Sequence, residues 1–435
     1  SYVQMGIGFV SMVILTRTLG APGFGVYVLV TTIHTIAGSA YQLAPPQLVI
    51  ADLSRFIGVS DFARVRRLLG DYLSVQMALG VVAAAALFTI RPLVLDRWGD
   101  PIASAIALVS VWLMVSALRS FTEVVLASHG AFGAISLWHA SESAVRLAAI
   151  CIFVVVFDFS IAGAVMADIA AQSIGLALVF PRLLLTIKYL RPYQRTTERV
   201  LLSGLRAHGK WAALNGISVR LIGAWPSWFI ALVLSTEALA IYTVAKRCLA
   251  PAKAALPLKR VLAPLLARNV TDPERLSYLF HKGLQYRLLI NIAATVAGSV
   301  LAYPVLSVLF PDLYPQVVLI FQLLLLRLIA ATPMEALNNL FAAEQQQRYS
   351  FYVYVLSQIL AAIVGVPLVL AVGLAGAPSS QIVTTLVSSA YQLWLATRMP
   401  QPMYLRPSTL LAFDRRDAEF LWSALIPKRR IATSK

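Results

Sequence analysis

Apolar runs of about twenty residues or more follow one another along almost the whole chain, separated by tight turns or charged clusters. A helix of that length crosses about 30 Å of hydrocarbon at 1.5 Å per residue. Inside lipid every backbone N–H and C=O must find a partner within the protein, so only helices and closed barrels can span. The runs here are continuous Leu, Val, Ile and Ala without period-two alternation, which argues against barrel strands. Composition agrees: 59% of residues are hydrophobic and 13% charged, where a soluble chain has about a quarter charged. The expectation is an all-α integral membrane protein.

Punctuation by turns and charges gives about twelve spans, at 1–17, 24–51, 72–95, 101–127, 133–157, 160–187, 210–234, 237–266, 283–310, 313–343, 350–373 and 376–398. Their orientation follows from loop charge. The loops at 52–71, 128–132, 188–210, 267–282 and 344–349 and the tail from 398 together hold 22 Lys and Arg. The opposite set holds three, Arg17, Arg91 and Arg97. The positive-inside rule places the first set, and both termini, in the cytoplasm. In a soluble chain the net charge of +17 would suggest nucleic acid; here the cations orient the spans and meet anionic lipid headgroups, and no nucleic-acid partner is expected. Ser1 already lies within an apolar run, as if the first span begins before it. Cys151 and Cys248 lie far apart in apolar runs and form no disulfide or metal framework.

The basic stretch at 188–209 falls mid-chain and suggests two halves. The sequence "LGAPGFGVYVLV" at 19–30 has a counterpart in "LSTEALAIYTVA" at 234–245, in which Leu19 matches Leu234, Val26 matches Ile241 and Tyr27 matches Tyr242. Each copy enters the second span of a six-span half. The expected organisation is an N-terminal six-helix lobe (1–187), a cytoplasmic linker (188–209) and a C-terminal six-helix lobe (210–398). A basic amphipathic cytoplasmic tail follows (399–435). Two pseudo-repeated lobes around a central cavity is a transporter architecture.

Charge within the spans is the main functional signal, because an Arg or Lys at a helix centre costs roughly 2.5–3.5 kcal/mol on insertion scales and so faces a cavity or a partner. Glu142 precedes Arg146 by four residues, as Arg119 precedes Glu123, and each spacing allows a same-helix ion pair. Asp168 lies in span six. Span eight differs: Lys246, Lys253 and Arg260 recur every seven residues on one helical stripe, with no acid between Glu237 and Asp272. Pro251, Pro257 and Pro264 interrupt that helix. A basic ladder on a kinked helix suits an anion path, although Arg260 can instead snorkel to the surface. Arg220 in span seven and Arg327 in span ten have no same-helix acid. The candidate phosphate ligands are therefore Arg220, Lys246, Arg247, Lys253, Arg327 and Arg146. Arg17, Arg119, Glu123, Glu142, Asp168 and Arg260 are secondary cavity or ion-pair residues. His34 and His139 read as hydrogen-bonded structural histidines. No cofactor, metal or catalytic motif is present, and no enzymatic activity is expected.

The opening stretch now carries a resemblance. Arg17, Leu19 and Gly20 end span one, and Phe24, Gly25 and Tyr27 open span two. This pattern resembles the bacterial polysaccharide flippases of the superfamily that also holds multidrug exporters and lipid II flippases. The second-half motif at Ala240–Tyr242 and "VLAPLLAR" at 261–268 extend the likeness. The resemblance implies an inner-membrane transporter with a cationic cavity. It would move a polyprenyl-pyrophosphate-linked oligosaccharide from the inner to the outer leaflet, in the company of other polysaccharide-assembly proteins. The alternatives are a cation-coupled multidrug exporter of the same superfamily, which should place acids in the cavity, and a membrane enzyme of polysaccharide assembly. The enzyme would need a sizeable outside loop or an acidic catalytic motif.

Overall fold

The computed structural model describes residues 2–98, 100–193, 196–198, 200–251, 266, 272–311, 314–344, 346–399 and 403. The candidates Lys253 and Arg260, and the tail beyond 403, lie outside them.

Described secondary structure is helical throughout. In chain order the α-helices are α1 (Tyr2–Ala37), α2 (Pro46–Gly58), α3 (Phe62–Trp98), α4 (Asp100–Ser128), α5 (Phe132–Ile150) and α6 (Ser160–Leu190) in the first half. After α7 (Val200–Gly204) come α8 (Lys210–Val233), α9 (Thr236–Cys248), α10 (Pro273–Leu309), α11 (Tyr314–Ala330), α12 (Thr332–Ala343), α13 (Gln347–Val372) and α14 (Gly376–Ala396). Eight described stretches are long and apolar enough to cross a membrane, and the α11–α12 pair, bent by 43°, makes a ninth. Two of the eight, Val3–Gly58 and Arg348–Ala396, each combine two sequence-derived spans. They divide at Gly20 (φ +66) and Gly373 (φ +67), in the left-handed region that only glycine adopts cheaply. Divided there, these stretches together with the α11–α12 pair and α9 make twelve membrane helices among the described residues.

Span two is one helix in sequence but not in structure. It runs to Ala37, tightens into a 3₁₀ segment at Gly38–Leu43, and restarts with Pro46 in the first turn of α2. Carbonyls freed by such a break must be bonded within the protein. Gln76 Nε2 donates to the Tyr41 and Ala44 carbonyls at 3.3 and 3.4 Å, and Arg220 Nη1 donates to the Gly38 carbonyl at 3.0 Å. The α11–α12 break is held similarly, by Asn291 Nδ2 on the Leu328 carbonyl (3.1 Å) and Thr332 Oγ1 (2.9 Å).

Packing is asymmetric across the membrane. One side carries Gly20, Phe157, Leu234, Phe310 and Gly373. There a single apolar core takes side chains from both halves, among them Leu15, Phe24 and Tyr27 with Leu239, Tyr242 and Val317. At the other side the cores are separate. One joins only first-half and linker residues, such as Leu53, Tyr72, Phe121 and Val200, and another only second-half residues, such as Leu276, Phe280 and Phe341. Among the described residues, then, the apolar cores of the halves are joined at one side and parted at the other, where α8 still lies against the 3₁₀ segment of the first half. At the joined side Gly25 lies so close to the Thr236 backbone that a methyl group there would overlap the Thr236 carbonyl.

Candidate functional site

Most of the intramembrane charges fall into two paired groups, one further ion pair and one set without carboxylate partners. The first group links α1, α5 and α6. Arg146 Nε donates to Asp168 Oδ1 at 2.5 Å, Arg146 Nη2 donates to Tyr27 Oη at 2.7 Å, and Tyr27 Oη donates to Asp168 Oδ2 at 2.6 Å. The same-helix pairing expected of Glu142 with Arg146 is not made. Arg146 turns instead to the neighbouring helix, because Asp168 is buried there and accepts from two donors at once.

Glu142 belongs to the second group. Arg119 Nε donates to its two oxygens at 3.2 and 3.3 Å, and His139 Nδ1 lies 3.5 Å from Glu142 Oε2. The expected Arg119–Glu123 contact is present but longer, at 3.5 Å, and Arg119 also lies over the Trp138 ring. His34 is hydrogen-bonded as expected: its Nε2 is 3.0 Å from Ser116 Oγ, which donates to Gln172 Oε1 at 3.0 Å, and its ring stacks on Trp112. Glu335 of α12 pairs with Arg287 of α10.

The third set is Arg220, Lys246, Arg247 and Arg327. Lys246 Nζ donates to the Gly223 carbonyl of α8 at 3.2 Å, one turn from Arg220, and lies over the Tyr242 ring. Lys246 lies near both Arg327 and Arg247, and Arg247 lies near the Tyr27–Arg146–Asp168 group. Arg327 Nε is buried without a hydrogen-bond partner among the described residues. Among the described residues none of the four cations forms a salt bridge. Lys246 and Arg247 are ten or eleven residues from the start of α9, about 15 Å into the membrane at 1.5 Å per residue. They lie at mid-depth, flanked along the chain by the joined-core residues Ala245 and Leu249. Arg17 stands apart: Nη2 donates to the Val308 and Leu309 carbonyls at 3.1 and 3.5 Å and so caps the end of α10.

The tyrosines matched by the repeat hold matching posts. Tyr27 bonds Asp168 in the last span of the first half, while Tyr242 accepts from Gln381 Nε2 (2.8 Å) in the last span of the second. The first post carries a charge pair and the second a neutral amide. Sequence reasoning saw the two tyrosines as a repeat signal only.

These features define a many-spanning helical membrane protein with a mid-membrane cationic set, and solved structures share its fold. An inward-facing conformation of a multidrug resistance MATE family transporter of the MOP superfamily matches with a TM-score of 0.73 at 14% identity, over 91% of this chain and 94% of that one. A variant of a Vibrio cholerae MATE transporter matches at 0.64 and 17%, over 91% and 92%. A MATE structure in the straight conformation matches at 0.65 and 14%, also over 91% and 92%. No curated protein sequence matches the chain. The family model described as polysaccharide biosynthesis protein matches residues 14–318. The chain belongs to that family.

Proposed function

We propose that the protein is a flippase that moves polyprenyl-pyrophosphate-linked oligosaccharide from the inner to the outer leaflet of the bacterial inner membrane, by alternating access. The observation that carries this reading is the imbalance of charge. The intramembrane acids Glu123, Glu142, Asp168 and Glu335 each face a basic partner, whereas Arg220, Lys246, Arg247 and Arg327 form no salt bridge among the described residues. A cation left in the membrane without a counter-charge is costly, and an anionic ligand offsets that cost. Pyrophosphate supplies it through charge-assisted hydrogen bonds. By its seven-residue spacing in sequence Lys253 would extend the set on the stripe of Lys246, and Arg146 contributes through its field, being already tied to Asp168. A cation-coupled drug exporter is disfavoured, because it would call for an acid without a basic partner in the cavity.

In this reading the lobes are 1–187 and 210–398, joined by the linker 188–209. The parted side carries the basic loops and is cytoplasmic, so the state is open to the cytoplasm and closed outside. The likeness to an inward-facing transporter supports that assignment. Substituting alanine at Arg220, Lys246, Arg247, Lys253 and Arg327 tests the site by export of lipid-linked glycan in a deletion strain. Loss of export with normal protein abundance is expected. Undiminished export would overturn the reading.

A further inference from the structure

We infer that the cavity between the break in span two and helices α4, α5, α6 and α8 is a saccharide subsite for the sugar nearest the pyrophosphate, and that it takes a neutral hexose or N-acetylhexosamine. The inference rests on the flippase reading and adds to it where the sugar sits and what kind of sugar fits.

The cavity has a volume of about 480 Å³, within the roughly 300–1,000 Å³ of small-ligand sites. Its wall divides by chemistry. Most of its polar groups are uncharged amides, hydroxyls and an imidazole, with Thr35, Gln47, Ser116 and Gln172 among them. Such groups both donate and accept, as sugar hydroxyls require. Ser116 donates to Gln172 Oε1, which leaves the Gln172 amide N–H groups for a ligand. Gln47 is exposed and forms no hydrogen bond with the described residues. Ile50, Val124 and Ile135 add an apolar face for the C–H side of a pyranose ring.

Charge sets the polarity of the cavity. Arg119 is neutralised by Glu142 and Glu123, so Arg220 is the one lining cation without a carboxylate partner among the described residues. The sugar bonded to pyrophosphate must lie beside a phosphate-binding cation, and Arg220 lines this cavity while Lys246 is held one turn along the same helix at Gly223. The Glu123 carboxylate on this wall is paired with Arg119 and lies 3.7 Å from His139, so the wall offers a uronic acid no unpaired cation beyond the phosphate-binding Arg220 and leaves neutral sugars preferred.

The test is equilibrium binding to the purified full chain in lipid nanodiscs. The probes are bare undecaprenyl pyrophosphate and the same carrier bearing glucose, galactose, N-acetylglucosamine, N-acetylgalactosamine or glucuronic acid. At least one neutral-sugar probe should bind more tightly than the bare carrier, and glucuronate should not exceed it. Gln172→Leu and Gln47→Leu should each reduce that preference roughly fivefold, the worth of one neutral hydrogen bond, and leave the bare carrier unchanged. Gln47→Leu leaves the His34–Ser116–Gln172 chain intact, so its result does not depend on the fold of the other variant. Arg220→Gln should weaken every probe alike. No preference in the unaltered protein, or a preference that survives both glutamine variants, overturns the saccharide subsite while Arg220-dependent binding of the bare carrier keeps the flippase reading. Bare-carrier binding that ignores both Arg220→Gln and Lys246→Gln overturns that reading itself.

Discussion

Removing the carboxylate of Asp168 should be among the most damaging single changes within the spans. Asp168 accepts from Arg146 and Tyr27 at 2.5 and 2.6 Å and keeps only 9% of its side-chain surface exposed. Asp168→Ala leaves the Arg146 guanidinium, itself 21% exposed, without its counter-charge. Breaking one side of a buried pair costs about 3–5 kcal/mol in soluble proteins. Neutral interhelical hydrogen bonds in membranes average only about 0.6 kcal/mol, so a charged pair in this setting should lie between, near about 3 kcal/mol. Tyr27→Phe removes one donor and should cost about 1 kcal/mol. The double variant Arg146→Met with Asp168→Leu removes both charges and should recover most of the loss, because apolar replacement of a whole buried pair is often neutral. Denaturant unfolding of the full chain in detergent, followed by intrinsic fluorescence, reads all three. The expected order of stability is unaltered protein, then Tyr27→Phe and the double variant, which strands the buried Tyr27 hydroxyl, then Asp168→Ala. If the double variant lost the sum of its two single losses, the coupling inferred from the geometry would be wrong.

Other expectations are equally open to test. Gly25→Leu should abolish export by a well-expressed protein, because the joined side cannot close over the Thr236 carbonyl; Gly6→Leu, at a position with no neighbour within 4 Å, should leave export intact. Gly20→Ala should destabilise the chain by roughly 1–2 kcal/mol through its positive φ, read by the same unfolding assay. In a background with Cys151 and Cys248 replaced by serine, an impermeant thiol reagent should label Ser60→Cys from the cytoplasm and Ser235→Cys from outside. The reverse pattern would refute the orientation. Lys253→Glu should block export without loss of insertion if the span-eight ladder is a path, and normal export by an abundant variant would rule the path out.

What could be read from the sequence was governed by the range of each rule. The twelve spans were readable because apolar length and breaks such as Gly20 are local properties. The break in span two was not, although Pro45 and Pro46 mark its place, because an uninterrupted apolar run hides the 3₁₀ segment that Gln76 and Arg220 hold from other helices. Same-helix spacing found Arg119–Glu123 but assigned Glu142 to Arg146. That rule cannot weigh a partner on a neighbouring helix, where Asp168 and Arg119 offered better geometry. The cations Arg220, Lys246, Arg247 and Arg327 stood out in sequence for lack of a nearby acid on the same helix, and among the described residues none of them forms a salt bridge. The polar wall of Gln47, Ser116 and Gln172 left no trace in sequence, since isolated amides and hydroxyls have no period. Nor did the joining of the halves at one side only, which depends on how distant apolar faces meet.

The central claim is movement of a pyrophosphate-linked glycan across the bilayer, and reconstitution tests it most directly. The purified chain would be placed in liposomes holding a fluorescent undecaprenyl-pyrophosphate oligosaccharide, and the fraction reached by an impermeant reagent would be followed with time. The account predicts that lipid initially shielded in the inner leaflet becomes accessible with the unaltered protein, and remains shielded when Arg220, Lys246, Arg247 and Arg327 are all replaced by glutamine. Shielded lipid that stays shielded with folded, unaltered protein, or equal movement by the quadruple variant, would contradict it.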